Sequence, residues 1–323
     1  MRFDLHAHHL PKLFTETIAG LPGGSPIAYP EWSFDTVEEH LRLWSLDGVC
    51  LSPSPPGAWL GEAAASQAFA RELNEWLATA IRDDPARRAG LAALPMPDLE
   101  GSLEEARYAL DELGLDGVML LTNQGDVALT DPRFAELFDL LEERAAYVFV
   151  HPNSPLTPNL TSLPDWMVEY PTDTARALAG LLYDGTYERC PSIRFQFAHL
   201  GGTAPFIAQR IASLAEPNRD PAAAAAAPAG ALSYLRRLYY DTGLSNNVPA
   251  IDCALAVGGE GRVVFGSDWP YCEAAAPGSD PTPALAALDG GTREAIDAGN
   301  AFQLIPRFAS LTAGGSSRET PAS

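Results

Sequence analysis

The sequence predicts a single α/β domain built as a (β/α)8 barrel. Eight short apolar, β-rich runs recur along the chain with helical segments between them. An open doubly wound sheet would alternate in the same way, but its ligand sits on a G-x-G-x-x-G turn after the first strand. No such turn follows the first run here.

The runs cover residues 2–6, 49–52, 90–94, 117–121, 147–151, 194–199, 238–242 and 262–266. Between them, residues 63–81 place Phe69, Leu73, Trp76 and Leu77 at helical spacing before Asp83-Asp84-Pro85 ends the pattern. Ser102-Leu103-Glu104-Glu105 offers a capping box for a helix running to Gly114. Further helices are expected over 131–145, 172–183, 205–214 and 292–302. Residues 221–230 are almost pure alanine and proline and read as a flexible insertion. The small, polar stretch 312–323 reads as a frayed tail, leaving a barrel over 1–311.

Composition narrows the class. With 323 residues, 46% hydrophobic and 20% charged, the chain suits a well-cored enzyme rather than a disordered or fibrous protein. Its net charge of −21 argues against nucleic acid or an anionic membrane as partner. No apolar stretch approaches the ~18 residues that span a bilayer. Met1-Arg2-Phe3-Asp4 leads straight into the first strand, and a cytoplasmic location is the expectation. Cys50, Cys190, Cys253 and Cys272 are scattered without a C-x-x-C pair, so free thiols are expected.

Barrel enzymes carry their chemistry at the C-terminal ends of the strands. Four of the six histidines fall at such ends: His6 and His8 on the first run, His151 on the fifth, His199 on the sixth. Strand alternation sends His6 and His8 to one side, a natural half-site for a divalent metal. Asp268 follows the eighth run in Gly266-Ser267-Asp268-Trp269-Pro270. Taken singly, His151 or His199 could be a hydrogen-bonded structural residue and Asp268 a turn former; together they form a candidate metal constellation. His9 points to the opposite face and reads as structural. His40 lies in the helical stretch before the second strand and receives no metal role.

At these residues the chain resembles the amidohydrolase superfamily, in particular its amidohydrolase-2 branch of aminocarboxymuconate semialdehyde and 6-methylsalicylate decarboxylase types. The resemblance covers residues 2–308. It rests on residues 4–8 (DLHAH), 110–122 (LDELGLDGVMLLT), 149–152 (FVHP), 197–210 (FAHLGGTAPFIAQR) and 266–270 (GSDWP). It implies metal ligands His6, His8, His151 and Asp268, with His199 as the acid/base residue and Asp268 sharing in catalysis. Binuclear members bridge two metals with a carbamylated lysine after the fourth strand. Here that strand ends Leu120-Leu121-Thr122-Asn123, and Lys12 is the sole lysine of the chain. One divalent metal is therefore implied, Zn²⁺ first and Mn²⁺ as its competitor.

The implied reaction is non-oxidative decarboxylation of a small aromatic or unsaturated carboxylic acid. The same ligands would also serve hydrolysis of an amide, lactone or C–C bond. Trp166 and Trp269 are candidate substrate contacts, able to stack on a ring or to pack a lid. Arg210 matches a family arginine or forms a surface ion pair. The muconate type has a substrate arginine before its second strand, where this chain has His40 with Arg42 nearby, and that departure favours a salicylate-like acid. Ser52 bonds substrate or its own backbone. Asp4 is read as orienting a ligand histidine from behind, or as an ordinary strand carboxylate, and Asp241 carries the same two readings. A homodimer is expected from the family.

Overall fold

The computed structural model describes residues 1–309 apart from 23, 25, 26, 158, 217 and 273–281. Eight strands form one parallel sheet in sequential order. They are β1 (Phe3–His9), β2 (Gly48–Pro53), β3 (Arg88–Ala92), β4 (Gly117–Leu121), β5 (Tyr147–His151), β6 (Arg194–Phe197), β7 (Tyr239–Asp241) and β8 (Val263–Val264). The segment beyond β8 closes the cylinder. Leu5 N donates to Phe265 O at 3.0 Å, Asp268 N to His6 O at 2.8 Å and His8 N to Trp269 O at 2.7 Å. The expected (β/α)8, TIM-type barrel is the observed one.

β-Branched and aromatic side chains of these strands pack on both faces of the sheet, as a helix-covered parallel sheet requires. Phe3, Leu5, Leu91, Tyr147, Phe149 and Val264 join one buried cluster with Leu304, Ile305 and Phe308. Val49, Val118, Val148 and Phe195 join another with the apolar faces of the surrounding helices. The register of β1 against β2 shifts between Asp4 and Ala7. His6 within that shift and His8 beyond it look across the barrel, their rings 4.8 Å from Phe149 and 4.8 Å from His151 respectively.

Several helices depart from expectation for identifiable reasons. The predicted insertion at 221–230 contains a helix, Pro221–Ala226, whose first turn is capped by Asp220 accepting from the amides of Ala222 and Ala223. Alanine is the best helix former and proline fits the first position, so an Ala/Pro run behind an aspartate winds up. The helix placed at Ser102 starts earlier, at Leu99, because Asp98 takes the cap position and accepts from Gly101 N. The helix after β5 spans Asp165–Tyr183, seven residues longer than expected at its start, and so brings Trp166 to the barrel mouth. The stretch 292–302 is broken by a π turn at Ala295–Gly299. The tail at 312–323 lies outside the described residues. Among the described residues, no helix is long and apolar enough to cross a membrane.

Candidate metal centre and active site

The strand ends deliver their histidines to one point. His6, His8, His151 and Asp268 are all buried, and their donor atoms lie within 4.8 Å of one another. Each imidazole is turned by a partner on its Nδ1 side. His6 donates to Asp241 Oδ1 at 2.8 Å, His8 to Pro53 O at 3.0 Å, and His151 to Pro152 O at 2.7 Å. Those bonds fix the Nδ1–H tautomer and leave three Nε2 lone pairs converging.

The converging atoms are not satisfied by one another. His6 Nε2 and His8 Nε2 each lie 3.1 Å from Asp268 Oδ1. Lone pairs facing a carboxylate oxygen repel unless a cation sits among them. The Nε2 atoms of His6 and His151 are moreover buried without a hydrogen-bond partner. Burial alone would push the His6 pKa down, but the Asp241 and Asp268 carboxylates outweigh it and bring it up to about 10, so without a metal a proton on His6 Nε2 would face Asp268 Oδ1 in the cation's place. Burial, then His8 and His6, press His151 well below its usual value. A site holding two carboxylates and three fixed imidazoles calls for positive charge. Three nitrogens and one oxygen fit a single divalent metal.

His199 stands beside this cluster. Its Nε2–H donates to Asp268 Oδ2 at 3.2 Å, and its Nδ1 is buried without a partner. His199 and Asp268 both adopt left-handed backbone, with φ of 56° and 66°. Such conformations are costly for non-glycine residues and cluster at functional sites. The turn after His199 needs Gly202, whose Cβ would fall 2.0 Å from the Pro171 carbonyl oxygen. Gly243 likewise lets β7 approach: a Cβ there would meet His6 Nδ1 at 2.6 Å.

Asp4 does not touch an imidazole of the cluster. Its Oδ1 accepts from the backbone amides of His6 and Ser267, and its Oδ2 accepts from Ser267 Oγ at 2.5 Å and His40 Nε2 at 3.0 Å. It thus ties β1, the segment carrying Asp268 and the helix Phe34–Leu43 together. Asp241 orients His6 instead. His9 faces away, packs 5.4 Å from Trp76, and is lowered to about 3 by burial and by His8. Ser52 Oγ donates not to its own backbone but across to Ala7 O on β1.

A cavity of about 700 Å3 opens above the cluster, with His151, His199 and Asp268 at its floor. Trp166 lines its rim. Trp269 does not line it: its backbone bridges to Ala7, which turns the indole outward to stack 5.2 Å from His40. Arg210 is also outside, exposed on the helix Ala208–Ala212, where the chain has left the strand end. Tyr170 and Tyr271 line the cavity, the latter sharing a 2.7 Å hydrogen bond with Ser54. Sequence reasoning passed over these tyrosines and Gln196. Gln196 carried a signal, being a polar residue in the Arg194–Phe197 strand; the tyrosines carried none.

The family model described as Amidohydrolase (Amidohydro_2) matches residues 30–307. The chain is 33% identical over 332 residues to the 6-methylsalicylic acid decarboxylase of Aspergillus aculeatus, covering 98% of this chain and 99% of that one. Among solved structures, an amidohydrolase II superposes with a TM-score of 0.86 at 23% identity, over 95% of this chain and 100% of the other. A dihydroxybenzoic acid decarboxylase from Polaromonas sp. JS666, with bound manganese, gives a TM-score of 0.76 at 18% identity, over 96% and 97%. The chain belongs to this amidohydrolase family.

Proposed function

We propose that this protein is a metal-dependent, non-oxidative decarboxylase of a small aromatic carboxylic acid of the salicylate type. One observation carries the reading. A buried His₃Asp cluster and an adjacent histidine, His199, form the floor of a cavity large enough for an aromatic acid. The similarity to the 6-methylsalicylic acid decarboxylase along nearly the whole chain supports it.

His6, His8, His151 and Asp268 would hold the metal. Bound there, it supplies positive charge for the substrate carboxylate and an adjacent oxygen, and a sink for the charge that builds as CO2 leaves. Zn²⁺ suits this donor set; Mn²⁺, carried by the Polaromonas relative, is the alternative. The bond between ring and carboxyl breaks with its electron pair left on the ring carbon. His199, its imidazole aimed by the bond to Asp268 Oδ2, delivers a proton to that carbon. Tyr170 and Tyr271 present hydroxyls to a phenolic oxygen. Burial of the floor keeps bulk water from competing for the carbanionic carbon.

A homodimer belongs to this reading, supported by exposed apolar side chains such as Leu160, Val168 and Phe206. Light scattering tests it. A cytoplasmic setting is supported by the four free cysteines. The deciding experiment measures CO2 from a panel of hydroxybenzoates with metal-reconstituted protein. Release from at least one of them, lost in His199→Gln, is expected. Hydrolysis of amides or lactones with no CO2 from any acid would overturn the reading.

A further inference from the structure

The cavity changes character from floor to rim. Its floor is polar and buried, with His151, His199 and Asp268 between 3% and 7% exposed. Tyr170 and Tyr271 line it as well. Apart from Ser245, the rest of the described lining is apolar, with Ile27, Ala28, Trp166, Met167 and Leu244 in it. Three of these large side chains stand open, Trp166 at 55%, Leu244 at 53% and Met167 at 46% exposed. Exposed apolar surface gathered around the mouth of a pocket is where apolar ligand atoms gain most from leaving water.

Charge is distributed just as unevenly. Among the described residues no lysine or arginine lines the cavity. The chain as a whole carries −21. A second anionic group on a ligand would therefore be desolvated with no countercharge, inside a negative field. The volume of about 700 Å3 lies in the middle of the range for pockets that enclose drug-sized ligands, well above what a bare one-ring acid fills.

We propose that the pocket selects a carboxylic acid whose only charge is the reacting carboxylate and whose remote end is an apolar chain of several carbons, lying against Trp166, Met167 and Leu244. The assignment of the charged end rests on the decarboxylase reading; that of the apolar end rests on the cavity wall.

Calorimetry on metal-loaded His199→Gln, which holds ligand without turning it over, tests this with 2-hydroxybenzoates bearing methyl, propyl or pentyl at position 6. Affinity should rise about two- to fourfold per added methylene. A dicarboxylic hydroxybenzoate should bind at least about 100-fold more weakly than the methyl compound. Trp166→Ser/Leu244→Asn should flatten the chain-length dependence, asparagine being chosen because Leu244 has φ of 44°. Affinity that falls from methyl to pentyl, equal binding of the dicarboxylate, or an undiminished slope in the double variant would each overturn the proposal. The CO2 assay on the parent enzyme is separate. A chain-length slope without CO2 removes the decarboxylase reading and keeps the apolar arm; CO2 without the slope does the reverse.

Discussion

Asp241 Oδ1 lies 2.8 Å from His6 Nδ1, both groups fully buried, and the carboxylate is itself held from behind. Gln196 Nε2 donates to Asp241 Oδ2 at 2.8 Å, and Tyr147 Oη donates to Gln196 Oε1 at 2.7 Å. A polar column thus runs through the barrel interior from β5 through β6 and β7 to the imidazole on β1. It fixes the tautomer and the aim of His6.

The column should be visible in metal affinity. Asp241→Asn is expected to weaken binding about 10- to 100-fold, and Gln196→Leu by a smaller factor, with the fold retained by circular dichroism. Competition against a chromophoric chelator reads this directly. Parental affinity in both variants would show that His6 needs no support.

His6→Ala, His8→Ala, His151→Ala and Asp268→Ala should each lose most of the metal together with activity. His199→Gln should keep the metal and lose turnover by about 100-fold or more. Elemental analysis separates the two groups. Full metal occupancy in the first set would end the ligand assignment, and wild-type turnover in His199→Gln would remove it from the mechanism.

Asp4 accepts four hydrogen bonds while fully buried, so its removal leaves two amides, a hydroxyl and an imidazole without their partner. Asp4→Ala should destabilise the metal-free protein by about 3 kcal/mol or more, and Ser267→Ala by about 1 kcal/mol. Urea unfolding midpoints measure both. An Asp4→Ala variant as stable as the parent would contradict the tying role.

Glu105 is 3% exposed and accepts from Asn74 Nδ2 at 2.8 Å and Arg71 Nε at 2.7 Å. Burial raises its pKa above the ordinary 4.5, the bonds from Asn74 and Arg71 offsetting only part of that. A folded pKa above the unfolded one means that its contribution is fully present below 4.5 and is lost as pH rises through the folded value. The stability advantage of the parent over Glu105→Gln should therefore shrink as pH rises from 4.5 through the folded value, read from urea unfolding at each pH. An advantage that grows with pH would reverse the sign.

Much of this was legible along the chain. The eight strand runs, and histidines recurring at their ends, follow from local patterning: alternation on a pleated strand and apolar runs bounded by turn residues do not depend on distant neighbours. A constellation of four strand-end histidines and Asp268 could be nominated for the same reason, since strand ends of a barrel share one mouth; the division into ligands and an acid/base residue came only from the family resemblance. Helix starts were less legible, because a stronger cap a few residues upstream, Asp98 ahead of Ser102, wins the competition only when the whole turn is built.

The supporting residues were decided by tertiary structure alone. Whether Asp4 or Asp241 orients His6 depends on the register shift in β1 and on how closely glycines let β7 approach. Trp269 and Trp166 look alike as aromatic residues after a strand, yet one backbone bridge sends the first outward while a longer helix brings the second to the rim. Sequence thus determines which chemical groups reach the barrel mouth, because that follows from strand position. Which partner each group meets there is set by packing across the barrel, between residues that lie up to 263 positions apart along the chain.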